Sequence, residues 1–174
     1  KRNKLNTLGM EHGADIIVCV DSDDVIMHNR VSHAVKKLQS SNGKQIAGST
    51  LLYIYDTFQK KTFQVGPFND NHGTAGTFAY TRKYLENHHF DEEDTRGYAE
   101  EKYFTNGFSE PMVQLDPWST IICINHGKNT FDKSKILKNE KPVNIKMLIK
   151  DKVIRDFFLS LTPHNNNNNN NNNN

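Results

Sequence analysis

The stretch Ile16-Ile17-Val18-Cys19-Val20-Asp21-Ser22-Asp23-Asp24 carries more information than any other in this chain. Its five apolar residues, mostly β-branched, predict a strand buried on both faces, as in a parallel sheet. In open α/β sheets, ligands sit at the carboxyl ends of such strands. Asp21, Asp23 and Asp24 crowd three carboxylates into four positions there. Like charges repel at that spacing, and a hard cation, Mg²⁺ or Mn²⁺, relieves the repulsion. The competing reading is an acidic turn in which Ser22 or Asp24 caps the next helix. Capping needs one such side chain, not three.

Upstream, Leu5 and Leu8 belong to a helix that stops at His12-Gly13, with glycine just past its end. The chain opens inside that helix, at Lys1-Arg2-Asn3-Lys4, which reads as an N-terminally truncated domain. Downstream, Val31, Ala34, Val35 and Leu38 recur at helical spacing until Ser40 to Gly43. Strands follow at 46–47 and 51–55, and a hairpin turns at Gln59-Lys60-Lys61 into a strand at 62–65. The small residues Gly73-Thr74-Ala75-Gly76-Thr77 let a ligand or another backbone come close. Thr81 caps a short helix through Tyr84 and Leu85. A helix is expected over 98–108, strands at 112–115 and 120–124, and one last amphipathic helix from Ile145 to Phe157, after Pro142 and before Pro163. The resulting order of elements is α/β, with antiparallel strands mixed into a mainly parallel sheet flanked by helices.

Composition sets outer bounds. The chain has 174 residues and a net charge of +2, too little to imply nucleic acid or a membrane surface as partner. One domain is expected over 1–162, and residues 163–174, almost all Asn, are expected to be a disordered tail. Cys19 and Cys123 each lie in an apolar run, as buried thiols do. That favours a reducing compartment, the cytoplasm, with a disulfide between them left open. No run of about 18 apolar residues exists to span a membrane.

Several features in order resemble the GT-A glycosyltransferases, in particular the inverting family-2 group. They are Arg2-Asn3 on a helix, an apolar strand ending in Asp21-Ser22-Asp23-Asp24, the Gly73–Gly76 segment with Arg82, then Ala99-Glu100-Glu101, and a late His126. The resemblance covers roughly residues 1–130 and departs from the family in two ways. The family's first strands, which hold the nucleotide base, are missing, and its Glu-Asp pair is Glu100-Glu101 here.

The resemblance implies a GT-A-like, Rossmann-like fold lacking those strands. It implies a nucleotide-sugar donor, most often a UDP-sugar, and a glycan or other hydroxyl acceptor. Arg2, Asp21 and Asp23 then face the donor, and Lys128 reaches its diphosphate as a point charge. Asp23, His126 and Asp21 hold Mn²⁺ or Mg²⁺, an imidazole suiting Mn²⁺ as a further ligand. Inverting transfer needs a base to take the acceptor's proton. Glu101 takes that role, Glu100 supports it, and Asp94 is a further candidate; both glutamates equally suit the first turn of a helix. Trp118 stacks on a sugar face or packs in the core. The alternatives are a non-catalytic GT-A-like nucleotide-sugar-binding domain or inactive fragment of a larger transferase, and a sugar nucleotidyltransferase. The last needs a Gly-rich loop bearing Arg and Lys after its first strand, which this sequence lacks.

Overall fold

A computed structural model describes residues 1–93, 100–131 and 133–163. Asp94 and the Asn tail lie outside them. In chain order the helices are α1 (Arg2–Glu11), α2 (Arg30–Gln39), α3 (Glu100–Phe104), α4 (Ser134–Leu137), α5 (Ile145–Leu148) and α6 (Lys152–Ser160). The strands are β1 (Ile16–Val18), β2 (Val25–Ile26), β3 (Ile46–Gly48), β4 (Leu52–Asp56), β5 (Lys61–Val65), β6 (Ala79–Thr81), β7 (Met112–Gln114), β8 (Ile121–Asn125) and β9 (Pro142–Val143).

The fold is α/β, but its strands form two mixed sheets rather than one mainly parallel sheet. The first runs β1-β6-β3-β7 and the second β2-β8-β4-β5-β9. Only two pairings among the described residues are parallel, β3 with β7 and β4 with β8. The other five are antiparallel. Short connections explain the difference: β4 and β5 are joined by a tight turn, which permits only antiparallel pairing.

Both faces of the first sheet are packed, but the run at 16–20 is not the fully buried parallel strand expected: β1 pairs antiparallel and Val20 is exposed. Ile16 and Val18 pack with Ala34 and Leu38 of α2 on one face. Ile17 packs with Phe78, Tyr80, Tyr84, Phe90 and Phe104 on the other. The alternation is that of a strand, whose successive side chains point to opposite faces. β1 is shorter than expected and only half-buried, because it is an edge strand bonded to β6 alone.

The second sheet is covered unequally. Its Tyr53, Tyr55, Ile122 and Ile124 pack under Leu148, Ile149 and Phe158 of the C-terminal segment. On the opposite face Leu52, Ile54, Val65, Ile121 and Cys123 meet mainly Leu137 and Ile136 of the one-turn helix α4. That thin cover leaves room for a cleft.

Local signals account for most element ends. Gly13 takes φ +79° past α1, a conformation open to glycine. The 3₁₀ turn Tyr84–Glu86 has Lys83 and not the expected Thr81 as its N-cap, although the Tyr84 N–H still donates to Thr81 Oγ1 at 3.2 Å just before it. The helix expected over 98–108 ends early, at Phe104, because Asn106, Gly107 and Phe108 all take positive φ; its first two expected positions lie outside the described residues. The last helix is two helices, because Ile149 is extended and Asp151 starts a new one. The Asp151 Oδ1 accepts from the N–H groups of Val153 at 2.8 Å and Ile154 at 3.1 Å. No described helix is long and apolar enough to cross a membrane.

Candidate functional site

A cavity of about 510 Å³ lies between the two sheets. The first-sheet side supplies Asp21 from the turn after β1, Ala75 and Gly76 from the small-residue segment, and Glu100 and Glu101 from the start of α3. Arg2, at the start of α1, also reaches it. The second-sheet side supplies Leu52, Ile54, Val65 and Ile121. The two sides touch at Gly76. A methyl group placed on it would come within 2.9 Å of both Asp21 Oδ2 and Ile121 Cδ1. Any larger residue there would require the tips of both side chains to shift.

The three clustered aspartates do not converge on one point. Asp21 accepts from Arg2 Nη2 at 2.9 and 3.2 Å. Asp23 Oδ2 meets His126 Nε2 at 3.1 Å. Asp24 turns inward to the second sheet, accepting from the Cys123 thiol at 3.2 Å and the Ile124 N–H at 3.2 Å. Each carboxylate thus has its own partner, and their mutual repulsion is met by protein groups. Asp24 does not cap α2, whose N-cap is Asn29; it ties the acidic turn to β8. Burial pushes the Asp24 carboxyl above its ordinary range, only partly offset by the Cys123 and Ile124 bonds and by Lys133. Asp23 also feels burial, but the His126 bond, its own backbone N–H and Lys133 outweigh it and hold its carboxyl low.

Arg2 bridges Asp21 and Glu100. Its Nε and Nη2 lie 3.4 and 3.3 Å from the two Glu100 oxygens. Burial acts to lower the guanidinium's pKa, but Asp21 and Glu100 together raise it further. Glu100 is pushed up by burial and by Glu101, against the pull of Arg2. Glu101 is oriented by the Ala75 N–H, which donates to its Oε1 at 3.1 Å. One carboxylate of this wall is therefore neutralised by a guanidinium and its neighbour is held by a backbone amide.

The structure brings Arg2, Asp21, Asp23, Glu100 and Glu101 to one cavity, with His126 beside it on Asp23. It does not bring three metal donors together. Among the described residues no group of three His, Cys, Asp or Glu side chains is placed to hold an ion. Asp21, expected as a third ligand, is drawn to Arg2. Asp23 and His126 remain as one carboxylate and one imidazole, a donor pair that a divalent ion accepts when ligand oxygens complete the shell.

Other expected residues stand apart. Lys128 is exposed and does not line the cavity. Arg82 binds the Ala14 carbonyl at 3.2 Å and the Met10 carbonyl, fastening the end of α1. Trp118 packs on Tyr53, ring centroids 5.3 Å apart, away from the cavity. Cys19 and Cys123 are both free thiols, Cys19 against Tyr80 and Cys123 against Asp24.

Three contributors escape a reading of the sequence alone. Lys133 and Asn129 line the cavity from the segment after β8, and no local pattern marks them. Asn129 Nδ2 lies 3.1 Å from His126 Nε2 and donates to the Ile124 carbonyl at 2.9 Å. Arg30 is fully buried, and its Nη2 donates to the carbonyls of Cys19, Thr77 and Phe78 at 3.3, 2.7 and 2.9 Å. It joins the strand end before Asp21 to the turn that carries Gly76. Burial without a carboxylate partner pulls its guanidinium down to about 10. A signal did exist, since Arg30, Ala34 and Leu38 lie four apart on one buried helical stripe. No protein-family model, curated protein or solved structure matches this chain.

Proposed function

We propose that the cleft transfers a sugar from a nucleotide-sugar donor, a UDP-sugar in the simplest case, to an acceptor hydroxyl with inversion. The observation that carries this reading is the convergence of Asp21, Glu100, Glu101 and Arg2 on one cavity, with the Asp23–His126 pair on the same acidic turn. These residues come from segments about a hundred positions apart, and packing alone does not require four charged groups to meet at a cavity.

Glu101 is the base. It takes the proton of the acceptor hydroxyl as that oxygen attacks the anomeric carbon. The bond from that carbon to the diphosphate oxygen breaks, and the nucleoside diphosphate leaves with the electron pair. The Ala75 N–H holds Glu101 by one oxygen and keeps the carboxylate turned to the cavity. Arg2 keeps Glu100 and Asp21 in place and screens Glu101 from their charge. Asp23 and His126 would hold a divalent ion, which supplies charge neutralisation at the leaving diphosphate. Lys133 adds a further positive charge on that side of the cavity.

The test is Glu101→Gln in an assay of sugar transfer from UDP-sugars to simple glycosides. Turnover should fall by about 10²- to 10⁴-fold, the worth of a positioned base. Donor affinity by calorimetry should stay the same. Turnover within a few-fold of the unaltered protein would remove Glu101 from this role and move the test to Glu100.

A further inference from the structure

The wall opposite the carboxylates has a chemistry of its own. Leu52, Ile54, Val65 and Ile121 line the cavity from β4, β5 and the start of β8. Their exposure orders them by depth. Ile121 and Ile54 are 1 and 2 % exposed and form the floor, whereas Phe68, also lining the cavity, is 52 % exposed and marks the rim. At that rim the His72 ring lies between Phe68 and Phe108, with centroids 4.4 and 4.6 Å away. Its Nδ1 is buried without a hydrogen-bond partner among the described residues. Burial also lowers its basicity, so it stands in the wall as a neutral aromatic ring.

A bare sugar does not suit this wall. Its hydroxyls would lose their hydrogen bonds to water against Leu, Ile and Val, whose side chains carry no polar atom to replace them; His72 Nδ1 at the rim could satisfy one hydroxyl at most. An apolar group placed there gains by leaving water. Within one cavity of about 510 Å³, a polar head is therefore matched at Asp21 and Glu101, and an apolar tail at Leu52, Ile54, Val65 and Phe68. A volume of this size accommodates a ligand larger than a single monosaccharide ring.

We propose that the acceptor is amphipathic: a hydroxylated head joined to an alkyl or aryl aglycone that lies along the Leu52–Ile54–Val65–Phe68 wall. That it acts as acceptor rests on the transfer reading above. That the cavity binds such a molecule does not.

The experiment uses the full chain and hexyl, heptyl and octyl β-D-glucosides, each below its micelle concentration, in calorimetric titrations. Each added methylene should tighten binding about fourfold, the equivalent of about 0.8 kcal/mol. Glucose itself should bind far more weakly. Phe68→Ser and Ile136→Ser change residues at the cavity's edge rather than its floor, and together they should flatten the dependence on chain length. An affinity independent of chain length overturns the proposal and makes the wall ordinary core. A dependence that survives in the double variant also overturns it, because the tail then binds elsewhere. Separate titrations with UDP-glucose and UDP keep the two readings apart. A chain-length dependence with binding of neither UDP-glucose nor UDP itself would sink transfer from UDP-sugars and leave the amphipathic site standing. Transfer to glucose without that dependence would sink this inference alone.

Discussion

The two walls of the cleft face the same cavity and are built in opposite ways. The carboxylate wall is assembled from the beginnings and ends of elements: the turn after β1, the small-residue segment before β6, the first turn of α3 and the start of α1. Its side chains are held by each other, Arg2 by Asp21 and Glu100, and Glu101 by a backbone amide. The apolar wall comes from the middle of paired strands, where alternation sends Leu52 and Ile54 to the cavity and Tyr53 and Tyr55 to the other face. Polar contacts of this kind exchange partners at small net cost, because each hydrogen bond contributes only about 1 kcal/mol. Buried strand residues have no such freedom, since the interior is close-packed. Charged side chains and core packing are thus placed on different sides of one cavity.

That division makes Ile54→Ala the most disruptive change. Ile54 is 2 % exposed and belongs to the core as much as to the cavity. Its truncation should cost about 2–5 kcal/mol in chemical denaturation, with nucleotide-sugar affinity unchanged in the folded fraction. A loss under about 1 kcal/mol would mean that the apolar wall is lining and not core, and the contrast with the carboxylate side would fail.

Asp23→Ala tests the opposite wall. It removes the carboxylate of the Asp23–His126 pair on the acidic turn. Loss of a ligand's supporting partner alone costs about 10- to 100-fold in ion affinity. Removing Asp23 should cost at least that much in Mn²⁺-dependent binding of a nucleoside diphosphate. Thermal stability should barely move, because the Asp23 side chain is 47 % exposed. Equal binding with and without Mn²⁺ in both proteins would end the metal reading.

Gly76→Ala acts on both walls at once. The added methyl meets Asp21 Oδ2 and Ile121 Cδ1 at 2.9 Å, and both must give way. Overpacking of this kind costs about 1–3 kcal/mol. A fall in nucleotide-sugar affinity should accompany it, since Asp21 is displaced. Destabilisation with unchanged affinity would separate the joint between the sheets from the site.

The smallest effect is expected at His72. Burial depresses its folded pKa below the ordinary 6.5. The unfolded chain therefore binds the proton first as pH falls. The stability contributed by the neutral ring is fully present above about pH 6.5 and is lost below it. His72→Phe keeps an aromatic ring between Phe68 and Phe108 and removes the titration. Its melting temperature should fall less between pH 7.5 and pH 5.5 than that of the unaltered chain. Parallel falls would show that His72 does not sense pH from within the wall.

What the sequence determined by itself is local. The period of apolar residues marks α2 and the strands at β1, β4, β5, β7 and β8, while Gly13 and Thr81 mark where a helix stops and a short turn starts. Arg2, Asp21, Asp23, Glu100 and Glu101 were also legible, through their resemblance to an ordered set of motifs. Each of these signals lies within a few consecutive residues, where sterics and hydrogen bonding act directly. Tertiary structure alone decided how the three aspartates are divided. Asp21 goes to Arg2, Asp23 to His126 and Asp24 to Cys123, across 19, 103 and 99 positions. It likewise split the strands into two sheets, brought Asn129 and Lys133 to the cavity, and buried Arg30 under the site. The reason is physical. Spacing along a chain fixes which side chains share a face, whereas a carboxylate's partner depends on which distant surfaces pack together. That choice is made by the burial of whole faces of α2, α4 and the two sheets, and no short stretch of residues contains it.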